Sequence, residues 1–116
     1  MVRFEDLEVW KKSAALSSEV YKYLSGLKDF DFRSQITRSG LSISSNIAEG
    51  YERESPKEVV NFLNYAKASC GELRSQIYIG MKIGYIDKEV GKTWVSESER
   101  ISKMLYRLME KLKKIQ

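Results

Sequence analysis

The fold of this chain is decided by the stretch from Arg33 to Arg53, which reads RSQITRSGLSISSNIAEGYER. Its apolar residues recur at helical spacing, so that Ile36, Ile43 and Ile47 fall on one side when residues are about 100° apart. The opposite side carries small, amide and ionisable side chains, whereas an ordinary solvated face is rich in Lys and Glu. The stretch therefore predicts one long helix with an apolar face and an unusual polar face.

We call the polar side of this helix the helix-two polar stripe. Its members fall within an arc of roughly 100°, and they are Gln35, Arg38, Ser42, Ser45, Asn46, Glu49 and Arg53. One interpretation is a helix packed on both sides, with polar groups hydrogen-bonded across a helix or subunit interface. The other is a binding or catalytic surface. We favour the first, because small and amide side chains suit tight packing better than chemistry.

The chain before this stretch has the pattern of another helix. Helix one is predicted from Glu5 to Ser25, and its apolar side is broad enough to indicate contact with another subunit. A break follows at residues 26–31, where Asp29 or Asp31 can cap helix two by accepting hydrogen bonds from free backbone N–H groups. The first half of the chain is therefore expected to form two helices.

Helix three has the clearest start signal in the sequence. Ser55 is placed as its N-cap, a proline follows at the first helical position, and Glu58 completes a capping box. The helix is expected to run to about Ile83. Gly71 and Gly80 weaken it relative to alanine, and we expect close helix–helix approach to compensate at both.

A fourth helix completes the pattern. Asp87 is expected to cap it, and it is predicted from Lys88 to about Lys114. Four amphipathic helices with short connections predict an all-α fold, an antiparallel up-down-up-down four-helix bundle. A chain of 116 residues with 42% hydrophobic and 31% charged residues suits a single domain spanning residues 1–116.

Three stretches of the chain resemble a known family. They are FEDLEVWKKS (4–13), SQITRSGLSISSNIAEGYER (34–53) and FLNYAKASCGELRSQI (62–77). Together they resemble the signature of the bacterial 23S rRNA-intervening sequence proteins, and the resemblance covers nearly the whole chain. It implies a four-helix bundle that assembles as a homopentamer. It also implies a relation to the accessory variability determinant of diversity-generating retroelements, a basic pentamer that acts with a reverse transcriptase and nucleic acid.

Helix four carries the strongest functional signal, which we call the basic ridge. Five cations recur at steps of three, four, four and three residues, and they are Arg100, Lys103, Arg107, Lys111 and Lys114. One interpretation is a solvated face with cations near a helix C-terminus, where they are favoured anyway. The other is a track that nucleic-acid phosphates follow. Pentamer symmetry would repeat the track five times, which favours nucleic acid, RNA or DNA, bound through its backbone with low sequence specificity.

Reactive chemistry is poorly represented in the sequence. The chain of net charge +4 contains no histidine, which removes the commonest general base and the usual zinc sites. Glu49 and Glu72 can face each other across helices two and three and bind a cation, but we favour their pairing with arginines, namely Arg38, Arg53 or Arg74. We therefore predict a non-enzymatic protein with no catalytic residue, no metal site and no cofactor.

The cellular location is predicted from cysteine usage and hydropathy. Cys70 is the one cysteine, and it lies on an apolar helical face, which predicts a buried, inert thiol and suits a reducing cytoplasm. Residues 1–8 are acidic and lack an apolar core, so we expect no secretory signal. No apolar run approaches the roughly 20 residues of a membrane span, so no membrane partner is expected.

Two functions from different classes follow from these patterns. The first is a non-enzymatic homo-oligomer that binds RNA or DNA through the basic ridge. The alternative is a protein-interaction scaffold that presents the helix-two polar stripe, with Glu72 of helix three beside it, to a partner protein.

Overall fold

The computed structural model describes residues 2–115, so Met1 and Gln116, the two ends of the predicted domain, lie outside the described residues. A one-turn 3-10 helix, Phe4–Asp6, precedes four α-helices. They are α1, Glu8–Tyr23; α2, Phe30–Tyr51; α3, Pro56–Lys82; and α4, Lys88–Lys113. No strand occurs within this range. The predicted all-α class is confirmed.

The first helix begins later than its apolar pattern predicts. Leu7 has an extended backbone, with φ −75° and ψ 128°, so it separates the 3-10 turn from α1. The next helix begins at Phe30 because Asp29 is its N-cap, and the Asp29 carboxylate accepts a hydrogen bond from the Phe32 N–H at 3.1 Å. Of the two predicted caps, Asp29 is therefore correct, and Asp31 lies inside the first turn.

The predicted capping box at the start of α3 does not form. Ser55 is the N-cap residue, but its hydroxyl makes no capping hydrogen bond. Glu58 instead pairs with Arg53 at 3.6 Å, so the carboxylate that the box requires is attracted to the end of α2. The start of α4 agrees with the prediction, because Asp87 accepts from the N–H groups of the second and third residues after it.

Two glycines set how closely α2 approaches the two ends of α3. A Cβ built at Gly50 would lie 2.8 Å from the Phe62 Cβ, and one at Gly80 would lie 2.5 Å from the Ile86 Cδ1 and 3.1 Å from the Phe32 Cζ. The end of α2 therefore lies beside the start of α3, and the start of α2 lies beside the end of α3. These two helices run in opposite directions. At Gly71 a Cβ would have no heavy atom within 4 Å, so the close approach expected there is wrong.

The first and last helices also run in opposite directions. Val9 near the start of α1 lines a groove with Leu108 near the end of α4. At the other end of the bundle, the Tyr23 ring packs edge-on against Trp94 with centroids 5.2 Å apart. These contacts are consistent with the predicted up-down-up-down order. The molecule is a rod of 46 × 20 × 20 Å.

The core is a column of aliphatic side chains from all four helices. Its most deeply buried members include Val20, Ile36, Ile43, Ile47, Leu63, Leu73, Ile77, Ile101 and Leu105. Cys70 is buried among them, and this burial raises the pKa of its thiol to about 12. Such a thiol is protonated and unreactive at neutral pH.

The broad apolar side of α1 is only partly used by this core. Leu16 is 2% exposed, whereas Tyr21 on the same side is 65% exposed and so is not a core residue. Trp10 is half-buried and packs edge-on against Phe4, with centroids 5.3 Å apart. None of the helices between residues 2 and 115 has both the length and the apolar character needed to cross a membrane.

Candidate nucleic-acid interface

The basic ridge is produced by the amphipathic pattern of α4. Its buried residues define one side of the helix, and they are Gly91, Trp94, Val95, Ser98, Ile101, Leu105 and Met109. At about 100° per residue, the five cations from Arg100 to Lys114 fall within an arc of roughly 80° on the opposite side. The packing that buries the apolar face therefore turns the ridge away from the core.

All five ridge side chains belong to exposed residues. Within residues 2–115, only Arg100 among them has a carboxylate oxygen within 4.0 Å, that of Glu97 at 3.7 Å. Glu97 is shared with Lys12 of α1, at 4.0 Å. Glu110, which lies between two ridge cations in sequence, pairs instead with Lys113 at 3.5 Å. Most of the positive charge on the ridge is therefore not neutralised within the chain.

The ridge is straight and long enough to contact several phosphates. Arg100 and Lys114 are separated by 14 residues, which corresponds to about 21 Å along a helix that rises 1.5 Å per residue. Lys114 follows the last residue of α4 and keeps helical backbone angles, φ −71° and ψ −19°, so it remains in register with the ridge. A linear series of cations suits a polyanion better than a compact ligand.

Open depressions lie on both sides of the ridge. On the α1 side, Glu8 lines a groove with Arg107 and Lys111, but the ion pair of Glu8 is with Lys11, at 4.0 Å. On the α3 side, Lys67 lines a notch of about 450 Å³ with ridge cations and the exposed Tyr106. Lys67 was not predicted as part of this surface, because a single sequence does not fix which residues of α3 lie beside α4.

The helix-two polar stripe is largely exposed in the single chain. Gln35, Arg38, Ser45, Glu49 and Arg53 are exposed residues, while Ser42 and Asn46 are half-buried. Two of its members reach α3. The Ser42 hydroxyl shares a hydrogen bond with that of Ser69 at 2.9 Å, and the Arg53 guanidinium lies over the Phe62 ring at 4.8 Å. Most of the stripe is therefore exposed in the single chain, and its packing across a subunit interface stays a prediction.

Hydrogen bonds within α2 organise the rest of the stripe. The amide of Asn46 donates to the backbone oxygen of Ser42 at 2.8 Å and to its hydroxyl at 3.0 Å. Arg38 donates to the hydroxyl of Ser34 at 3.1 Å, so it does not pair with a carboxylate as proposed from the sequence. The stripe thus presents a preorganised polar surface to the outside.

The two carboxylates considered for a cation site have different environments. Glu49 accepts from Arg53 at 2.9 Å, which agrees with the pairing favoured from the sequence. Glu72 is exposed and makes no ion pair in the part of the chain that the structure describes. Between residues 2 and 115, no three Asp, Glu, Cys or His residues come together as metal ligands.

The fold and this surface define a class of protein, an all-α four-helix protein with one exposed cationic helix face. The sequence model of a family described as 23S rRNA-intervening sequence protein matches residues 5–107. The chain belongs to this family, and the resemblance found in its sequence motifs is confirmed.

A solved structure supports the same assignment. The crystal structure of a protein with unknown function from the S23 ribosomal protein family of Bacteroides thetaiotaomicron VPI-5482 superposes with a TM-score of 0.81 and 30% sequence identity. The alignment covers 87% of this chain and 97% of that one. A search among curated proteins gives no match.

Proposed function

We propose that this chain forms a non-enzymatic oligomer that binds the backbone of RNA or DNA through the basic ridge. The observation that carries the proposal is the ridge itself, whose cations are all exposed and of which only Arg100 has a carboxylate partner within residues 2–115. Replacing the counterions of a polyanion with these cations is entropically favourable. Backbone contact of this kind carries little sequence information.

Several features support the non-enzymatic part of the proposal. The sequence contains no histidine, and burial raises the pKa of its one thiol, that of Cys70, to about 12. Glu49, one of the two carboxylates considered for a cation site, pairs with Arg53 at 2.9 Å. A general acid or base requires a group poised near the working pH, and the Cys70 thiol is not such a group.

Oligomerisation is supported by apolar side chains that one chain leaves exposed. Tyr21, Phe30 and Leu41 are 65%, 67% and 58% exposed and lie along the seam between α1 and α2. Tyr21 and Leu41 line an open groove of about 580 Å³ there. Clustered apolar exposure of this kind is typical of a contact surface. A pentamer, as the family resemblance implies, would display five copies of the ridge.

The direct test is a charge-reversal experiment on the ridge. Arg107→Glu combined with Lys111→Glu is compared with a control of equal charge change, Lys28→Glu with Lys57→Glu, at exposed positions outside the ridge. We expect the ridge variant to lose at least about tenfold in affinity for a labelled oligonucleotide, because two phosphate contacts are lost. Equal losses in the two variants, or no loss in either, would contradict the proposal.

A second candidate function is a protein-interaction scaffold. The exposed helix-two polar stripe favours it, because the Ser42–Asn46 and Glu49–Arg53 hydrogen bonds hold its groups in fixed positions without burying them. Replacing Asn46 and Glu49 with alanine separates the functions. Loss of a protein partner in a pull-down, with oligomer and nucleic-acid binding intact, supports the scaffold. Dissociation to monomers instead indicates that the stripe is a subunit interface.

A further inference from the structure

The notch beside the basic ridge has a composition that differs from the rest of the surface. Its lining residues are Lys67 from α3 and Ser102, Lys103, Tyr106 and Arg107 from α4. Three of the five are cations and two carry hydroxyl groups, and no carboxylate lines the notch. Its volume of about 450 Å³ is open to solvent. The site therefore combines unopposed positive charge with an aromatic ring.

The three cations of the notch remain available for an anionic ligand. Within residues 2–115, no ion pair is formed by any of the three, which are Lys67, Lys103 and Arg107. They come from two helices, since Lys67 belongs to α3 and the other two to α4, so the notch adds a cation outside the ridge. Phosphate oxygens are the anions that lysine and arginine side chains bind most often in nucleic-acid complexes.

The aromatic residue that lines the notch is Tyr106. Its side chain belongs to a residue that is 55% exposed. Four aromatic pairs occur within residues 2–115, and Tyr106 belongs to none of them. Its ring therefore does not stack on another aromatic ring among these residues, and its exposed area can contact a planar ligand.

We propose that this notch makes the proposed nucleic-acid site selective for single strands, because an unpaired base stacks on Tyr106 while its flanking phosphates contact Lys67 and Lys103. The inference rests on the proposed function and deepens it. In a duplex, the faces of the bases are covered by their neighbours, whereas a single strand can present a base face to an aromatic side chain. Stacking of this kind tolerates any base, so sequence specificity stays low.

The test compares two probes of equal length, a labelled oligothymidylate and a mixed-sequence duplex, by fluorescence anisotropy. We expect the unmodified chain to bind the single strand more tightly. Tyr106→Leu should weaken single-strand binding about tenfold, because one base stack is lost. The same variant should change duplex binding by less than about twofold. Tyr106→Phe, which keeps the ring, should restore single-strand binding.

Two further variants make the result specific. Tyr78→Leu removes a tyrosine of similar exposure, 51%, that does not line the notch, and it should leave both affinities unchanged. Lys67→Gln should weaken single-strand binding more than Lys57→Gln, because Lys57 is an exposed α3 cation outside the notch. Thermal unfolding of each variant checks that the bundle is intact.

The outcomes separate this inference from the proposed function. Equal affinity for the two probes, or a Tyr106→Leu variant that weakens both or neither, overturns single-strand selectivity while ridge-dependent binding remains. Failure of the unmodified chain to bind either probe overturns both proposals. Selective loss of single-strand binding in Tyr106→Leu and its recovery in Tyr106→Phe support the inference.

Discussion

At the scale of single residues, Gly50 and Gly71 have opposite surroundings. Gly71→Ala places a methyl group in open space and removes the conformational freedom of glycine, so we expect the free energy of unfolding to rise by about 0.5–1 kcal/mol. Gly50→Ala forces a methyl group against Phe62, and overpacking of this kind costs about 1–3 kcal/mol. Urea denaturation measures both. Changes of the same sign would contradict this account of the α2–α3 contact.

Asp29 gives the folded chain a defined pH dependence. The Phe32 N–H, followed by the Tyr85 hydroxyl at 2.8 Å, holds the pKa of the Asp29 carboxyl below its ordinary value. The contribution of ionised Asp29 to the stability of the fold is therefore complete above the ordinary pKa of about 4. It is lost as pH falls through the lowered pKa of the folded chain. We expect Asp29→Ala to lower the unfolding temperature at neutral pH and to lose most of this effect in strong acid.

The control for this experiment is Asp31→Ala, which removes a carboxylate from the first turn of the same helix without removing the cap. We expect Asp31→Ala to lower the unfolding temperature at neutral pH by less than Asp29→Ala does. A difference between Asp29→Ala and the unmodified chain that is independent of pH would contradict the assigned role of the ionised carboxylate.

Residue-scale features were predictable where the chemistry is local. The caps at Asp29 and Asp87 follow from a side chain and backbone groups within three residues of it. The capping box predicted at Ser55 does not form because Arg53, on the other side of a turn, attracts Glu58. How much of the broad apolar side of α1 one chain covers was not predictable, because helical spacing does not show the width of the covered part.

At the scale of elements, the ridge of α4 is not uniform. Arg100 is already held by Glu97 at 3.7 Å, whereas Lys103 has no such partner within residues 2–115. We therefore expect Lys103→Gln to weaken oligonucleotide binding more than Arg100→Gln does, since binding through Arg100 competes with an existing ion pair. Anisotropy titrations of the two variants at one salt concentration measure this. A larger loss in Arg100→Gln would contradict the predicted order.

The extent of α4 and the position of its ridge were predictable, because both depend on spacing within one helix. The participation of Lys67 was not, because it depends on the register of α3 against α4. That register is set by buried contacts such as those around Leu63 and Leu105, which a single sequence does not specify. How much of the helix-two polar stripe one chain leaves exposed was not predictable for the same reason.

At the scale of the whole molecule, the apolar seam between α1 and α2 predicts self-association. We expect light scattering to give the mass of an oligomer for the unmodified chain and a lower mass for Leu41→Glu, which places a charge in the exposed seam. Ile79→Glu is the matched control, because Ile79 is 49% exposed on α3 away from the seam. A monomer for the unmodified chain, or equal masses for the two variants, would contradict this prediction.

The central claim, that the ridge binds a polyanion through its charges, is tested most directly by the salt dependence of oligonucleotide affinity. The slope of log K against log salt concentration is measured for the unmodified chain and for a variant with Lys103, Arg107 and Lys111 all changed to Gln. We predict that the variant's slope is shallower by about 2–3, because each lost phosphate contact removes about 0.7–0.9. Identical slopes for the two proteins, or a flat dependence for the unmodified chain, would contradict the claim.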